Sequence, residues 1–286
     1  MGGQHKYGGW AGDAMRRVVV VNDCAHVIED MLPFLRRRFD VELIERTRGL
    51  YSKTLGILFD VARSRGDIYH ANYALQDAYL VSVLRHLDIL HVHGSDVRWT
   101  MKDPRWGWIV RHDLRAARRV IYATPDLEDA VRRYRPDATY LPNPVRLDRF
   151  TRKREYGSPP RAVYFRLRYE ELPPELPATF RRNGIELDVL ERNVPYSMMP
   201  EVIRKYDIFV DRFTIRSCSK TCLEAMASGL ATIDYRHGGR PAERVEELAD
   251  PSRVREEGER NRELVEREHD AEKVAEKLGD LWEELL

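Results

Sequence analysis

A chain of 286 residues that is 43% hydrophobic and 33% charged has material for two cores and a well-solvated surface. Its net charge of +1 excludes a dedicated nucleic-acid binder, because such affinity scales with the phosphates neutralised. No apolar run approaches the roughly 18 residues that span a bilayer, and Cys24, Cys218 and Cys222 form no disulfide framework, which suits a reducing cytoplasm. Arginine and glutamate are abundant while glutamine occurs only at Gln4 and Gln76, a bias of heat-adapted proteins that points to a thermophilic source.

Residues 1–14 have no apolar core, so they read as a flexible leader and not as a signal peptide. "RVVVVND" (17–23) is a buried strand by its β-branched run, and "VIEDMLPFLRRRF" has helical spacing. "VELIER", "DIYHANY", "DILHVHGSD", "RVIYATP" and "ATYLPNP" follow as strands, with "KTLGILFDVARSR" and "ALQDAYLVSVLRH" as intervening helices. Charges, Gly157 and two prolines make 151–161 a linker. The cycle restarts with "AVYFRLR", "IELDVLE", "DIFVDRF" and "LATIDYR". Strands separated by helices imply βαβ units and parallel sheets, hence two α/β domains, 15–150 and 162–286, with a cleft between them. The tail from 251 to 286 is charged and helical, with an apolar stripe of Ala271, Val274, Leu278, Leu281 and Leu285.

Ligands of such sheets bind beyond the carboxyl ends of the strands. In "HVHGSD", Gly94 allows a tight turn that would face His93 and Asp96 outward; the alternative is that Asp96 caps the next helix and His93 is packed. His70 ends the preceding strand. In "YFRLR", Arg166 and Arg168 end the first strand of the second half, and guanidinium groups suit diphosphate oxygens. Ser219, Lys220 and Thr221 open a helix whose free N–H groups and dipole favour anions. Glu224 either closes a capping box with Thr221 or accepts hydrogen bonds from ribose hydroxyls, and spacing does not choose between the two.

Together "DIYHAN", "HVHGSD", "YLPNPVRLDRF", "NVPYSMMPEVIRKYDIFVD", "LEAMASGLATI" and "HGGRPAERV" resemble, in order, the motifs of family 4 glycosyltransferases over about residues 17–245. The resemblance implies the GT-B fold, two Rossmann-like domains with parallel sheets facing an interdomain cleft. It also implies transfer of a sugar from a nucleotide-diphosphate sugar to an acceptor, with retention and without a metal or cofactor; no Asp-x-Asp motif is present. On the same resemblance Glu224 binds the donor ribose, Ser219–Thr221 the diphosphate and Arg166 the charge beside it. Asn193, Val194 and Pro195 line the base, and His93 lies near the transferred sugar and acceptor, with Asp96 in the same segment.

Two departures qualify this. The first glutamate of the family's Glu-x7-Glu motif falls at Arg216, with Asp211 at the preceding strand end as a candidate substitute left open, and the lysine expected after Arg166 is absent, leaving Arg168 or Lys220. A catalytically inactive nucleotide-sugar binder or partner subunit therefore stays open, as does another GT-B enzyme such as a non-hydrolysing epimerase. The last feature is "DPRWGWIVRHDLRAARR" (103–119), with Trp106, Trp108 and five arginines, in a first half of net +5 (24 Lys and Arg, 19 Asp and Glu). It reads either as a core-facing helix with inward tryptophans, or as a peripheral contact with a membrane carrying a lipid-linked acceptor.

Overall fold

A computed structural model of the protein describes residues 15–46, 56–152, 155–167, 169–237 and 240–286. The leader 1–14, Arg168 and the Gly238-Gly239 pair lie outside the described residues. In chain order the strands are β1 (Arg17–Val21), β2 (Asp40–Ile44), β3 (Ile68–Asn72), β4 (Ile89–Val92), β5 (Arg119–Tyr122), β6 (Thr139–Tyr140), β7 (Arg161–Phe165), β8 (Glu186–Leu190), β9 (Ile208–Val210) and β10 (Ala231–Ile233). They form a six-stranded sheet, order β2-β1-β3-β4-β5-β6, and a four-stranded sheet, order β10-β9-β7-β8. Every pairing is parallel.

The alternation of strand side chains builds a core on each face. Val19, Val21, Tyr69 and Leu90 pack on one side of the first sheet, and Val18, Val20, Ile68 and Ile89 on the other. Val163, Phe165 and Phe209 divide from Ala162, Tyr164 and Ile208 in the same way. Parallel strands covered on both faces explain why the runs are almost continuously apolar.

Two boundaries differ from the sequence reading. Leu141 packs in the first core but Val145 and Phe150 in the second, so the chain crosses between them and not at 151–161. The tail is two helices, Pro251–Glu268 and Ala271–Glu283, parted at His269 and Asp270, and Asp270 caps the second. That last helix belongs to the first domain: Val274, Leu278 and the fully buried Trp282 pack with Val18, Val20 and Met31. The two crossings lie side by side, with Val145 N–H donating to the His269 carbonyl at 2.7 Å and Ala271 N–H to that of Val145 at 3.0 Å.

The helix Gly107–Ala116 buries Ile109, Val110 and Leu114 but leaves Trp106 and Trp108 44% and 50% exposed, which corrects the inward-facing alternative. Arg118 and Arg119 are engaged by Asp88 and Asp137, at 2.9 and 3.9 Å.

Candidate active site

The strand order of each sheet reverses between two neighbours, β1 and β3 in one and β7 and β9 in the other, and at such switch points the following loops part to leave a crevice. The two crevices share one cleft of about 470 Å³, lined by His26, His93, Arg98 and Trp99 from the first domain and by Tyr169, Arg192, Tyr196, Arg212, Ser219, Lys220, Thr221 and Glu224 from the second. The loop after β1 holds Asn22, Ala25 and His26 at φ of 67°, 57° and 59°. Left-handed backbone without glycine costs free energy and persists where surrounding structure imposes it. Asp23 anchors this loop by accepting the N–H groups of Ile28 and Glu29, both at 2.9 Å.

Ser219 is the N-cap of the helix Lys220–Ala227, its hydroxyl accepting the Cys222 N–H at 3.0 Å. That places the cap two residues before Thr221, so no Thr221–Glu224 capping box forms. The amides of Lys220 and Thr221, which have no intrahelical acceptor, stay at the cleft wall. Glu224 is 2% exposed and lies 3.2 Å from the Lys220 Nζ. The Lys220 ammonium also reaches across the cleft to the wholly buried Asp30 of the helix Val27–Leu35, and donates to the Tyr196 hydroxyl at 3.1 Å. Tyr196 in turn donates to Asp30 Oδ2 at 2.8 Å, and Arg149 stands 3.7 Å from Oδ1. The His26 ring stacks on Tyr196 (centroids 4.0 Å, 5° between planes), and the Arg149 guanidinium lies 4.5 Å from the same ring centroid. Burial pushes the Glu224 carboxyl above its ordinary range against the pull of Lys220, and Asp30 adds to the rise. Burial, with the Glu224 and Asp30 charges, also raises the Tyr196 phenol.

A second polar cluster closes the other end. Arg98 grips Asp126 with Nε and Nη2, at 2.7 and 2.9 Å, and also donates to Thr124. Arg98 and Arg212, one from each domain, converge on the Ser217 hydroxyl at 3.3 and 3.1 Å. Burial works to raise Asp126, but Arg98 holds it below the usual carboxylate range. Gly94 makes room for this arginine: at φ 131° a Cβ there would sit 1.9 Å from Arg98 Nη1.

The expected residues divide. His93, Val194, Ser219, Lys220, Thr221 and Glu224 line the cleft. His93 bonds Asn72 Oδ1 through Nε2 at 3.2 Å and packs against His91, centroids 4.2 Å apart. Burial pushes its pKa down to about 3, so the ring is neutral and serves as a hydrogen-bonding group. Asp96 is fully buried and accepts the N–H groups of Ala74, His93, Gly94 and Val97. It ties the loops after β3 and β4 together and has no face on the cleft. Asp211 does the same for the second domain, accepting the Ser219 N–H at 2.8 Å. Arg166 is a correction: its N–H still pairs with the Leu190 carbonyl, so strand alternation sends Phe165 to the cleft and turns Arg166 outward to Glu191 at 3.1 Å. Asn193 and Pro195 are exposed beside the cleft. Arg216 lines a neighbouring depression.

Asp30, Arg98, Arg149, Tyr196 and Arg212 were missed. Asp30 lies in the first turn of the helix that follows the switch-point strand β1, but its burial, like the placement of the others, depends on the opposing domain. Among the described residues two groups bring carboxylate, imidazole or thiol atoms within 4.8 Å of one another, Asp23–His26–Glu29 and Cys218–Cys222–Asp234. Asp23 already serves two amides, and Asp234 is paired with Arg236 at 2.7 Å, so neither group needs an ion to satisfy its charge.

No family model matches the chain, and none of the curated proteins matches it. Solved structures do. A glycosyltransferase involved in avilamycin A biosynthesis superposes with a TM-score of 0.57 at 13% identity, over 94% of this chain and 98% of that one. The fold is GT-B. A UDP-forming trehalose-phosphate synthase from Burkholderia xenovorans gives 0.58 at 10% identity over 94% and 99%. The catalytic domain of starch synthase IV from Arabidopsis thaliana, bound to ADP and acarbose, gives 0.53 at 11% over 96% and 99%. In this chain the GT-B cleft is the one holding Lys220 and Glu224.

Proposed function

We propose that the protein is a glycosyltransferase that moves a sugar from a nucleoside-diphosphate sugar to an acceptor with retention and without a metal. The observation that carries this is the buried Glu224 beside Lys220 at a capped helix start, facing the cleft between two GT-B domains. The Lys220 and Thr221 amides, Lys220 and Arg212 are arranged to receive a diphosphate, and Glu224 to accept hydrogen bonds from ribose. As the glycosidic bond breaks, charge grows on the leaving diphosphate, and fixed dipoles and cations already aimed there stabilise it without reorganising. An acceptor hydroxyl attacks from the same face and passes its proton to the departing phosphate oxygen. Neutral His93 orients the sugar or that hydroxyl. No step uses a carboxylate at position 216, which is why Arg216 is compatible with activity. The proposed acceptor is lipid-linked, presented where the exposed Trp106 and Trp108 would touch a membrane; among the described residues no helix is long and apolar enough to cross one.

Screening UDP, GDP and ADP by thermal shift identifies the donor base, because binding to the folded state raises apparent stability. Release of free nucleoside diphosphate only when acceptor is present then confirms transfer. Nucleotide binding without turnover on any acceptor would instead make the protein an inactive nucleotide-sugar binder.

A further inference from the structure

Beside the nucleotide cleft, and sharing Arg98 and Trp99 with it, lies an open depression of about 700 Å³ whose wall also holds Lys102, Asp103, Asp126, Ile215 and Arg216. Its charges are unequally committed. Asp126 is taken by Arg98, and Asp103 spends Oδ1 on the N–H groups of Arg105 and Trp106, at 2.7 and 3.2 Å. Lys102 and Arg216 are both exposed, one from each domain, and neither side chain has an ion-pair or hydrogen-bond partner among the described residues. Two uncommitted cations therefore face one concave surface in a protein that otherwise engages many of its arginines. Trp99, 46% exposed, stands at the boundary between cleft and depression against Tyr169 of the other domain, with ring centroids 5.1 Å apart. An indole at that boundary offers an apolar face to a sugar ring, while the cations beyond it suit an oxyanion.

We infer that the depression is a subsite for a substrate group carrying a carboxylate or phosphate, held by Arg216 and Lys102 with its sugar ring against Trp99. This rests on the glycosyltransferase reading and narrows its substrate to an anionic sugar, either the acceptor or the sugar being transferred. A carboxylate at position 216 would repel such a group, whereas a guanidinium binds it through paired N–H donors.

The test uses glucose 6-phosphate, glucuronate and glucose, titrated calorimetrically into the full chain with and without whichever of UDP, GDP and ADP binds. UDP-glucuronate and UDP-glucose are compared in parallel. The charged probes should bind at least about tenfold more tightly than glucose, an advantage that weakens with salt. Arg216→Gln with Lys102→Gln should abolish that advantage and leave affinity for the bare nucleoside diphosphate unchanged. A preference confined to UDP-glucuronate assigns the anion to the transferred sugar; one seen with the free sugars assigns it to the acceptor. Equal affinity for charged and neutral sugars, or a preference that survives the double substitution, overturns the subsite. Failure of every nucleoside diphosphate to bind would overturn the donor reading alone, because the titrations without nucleotide still report on the depression.

Discussion

Replacing Glu224 by glutamine keeps the shape of the side chain and removes one charge from a site where the native carboxylate is 2% exposed. A charge-assisted hydrogen bond contributes about 1.5–3 kcal/mol, so nucleoside-diphosphate affinity should fall roughly 10- to 150-fold. Stability should change much less. The substitution weakens the 3.2 Å contact with Lys220, but it also relieves the repulsion between Glu224 and Asp30, and Lys220 keeps Asp30 as its partner. Calorimetric titration with the best-binding nucleotide measures the first quantity and urea unfolding the second. Burial holds the Glu224 pKa above its ordinary value, so the gap between native and variant affinities should also close as acidification protonates the native carboxyl. Unchanged affinity, or affinity lost together with the cooperative unfolding transition, would refute the assignment of Glu224 to ribose.

Asp30→Asn removes the carboxylate that holds Lys220 from the opposite domain; nucleotide affinity should rise severalfold, and a fall would make Asp30 part of the binding surface and not its competitor. Because Glu224 still neutralises Lys220, the stability cost should stay below the roughly 3–5 kcal/mol of an orphaned buried charge. Fully buried His70 has its pKa pushed down to about 3 by burial, so the unfolded chain takes up a proton there between pH 6.5 and 3 and the folded chain does not. Its contribution is complete above pH 6.5 and lost on acidification, on the order of 2 kcal/mol by pH 5; urea midpoints flat from pH 7 to 5 would contradict this. Purified protein should pellet with anionic liposomes at low salt and release at high salt, and Trp106→Ser with Trp108→Ser should abolish pelleting without unfolding. Equal recovery with neutral and anionic liposomes would mean a soluble acceptor.

What could be read along the chain was whatever local chemistry decides. Continuous β-branched runs such as "RVVVV" identify strands buried on both faces, and the order of strands and helices implies parallel sheets before any contact is known. That a helix opens near Ser219–Thr221 was legible because start signals are made by neighbours in sequence, but the cap proved to be Ser219 and not Thr221. Arg166 was misplaced because strand alternation depends on how far β7 keeps pairing with β8, and one further hydrogen bond, from its own N–H to Leu190, turns the side chain away. Asp30 follows Glu29 on a helix, and nothing local marks it as the buried one; only the second domain, arriving with Lys220 and Tyr196, takes it out of water and supplies its partners. The stripe of the last helix was equally plain, yet its destination under the first sheet was not. An amphipathic face states that it must be buried, while what buries it is set by the path of the chain, here a second crossing zipped to the first through Val145, His269 and Ala271.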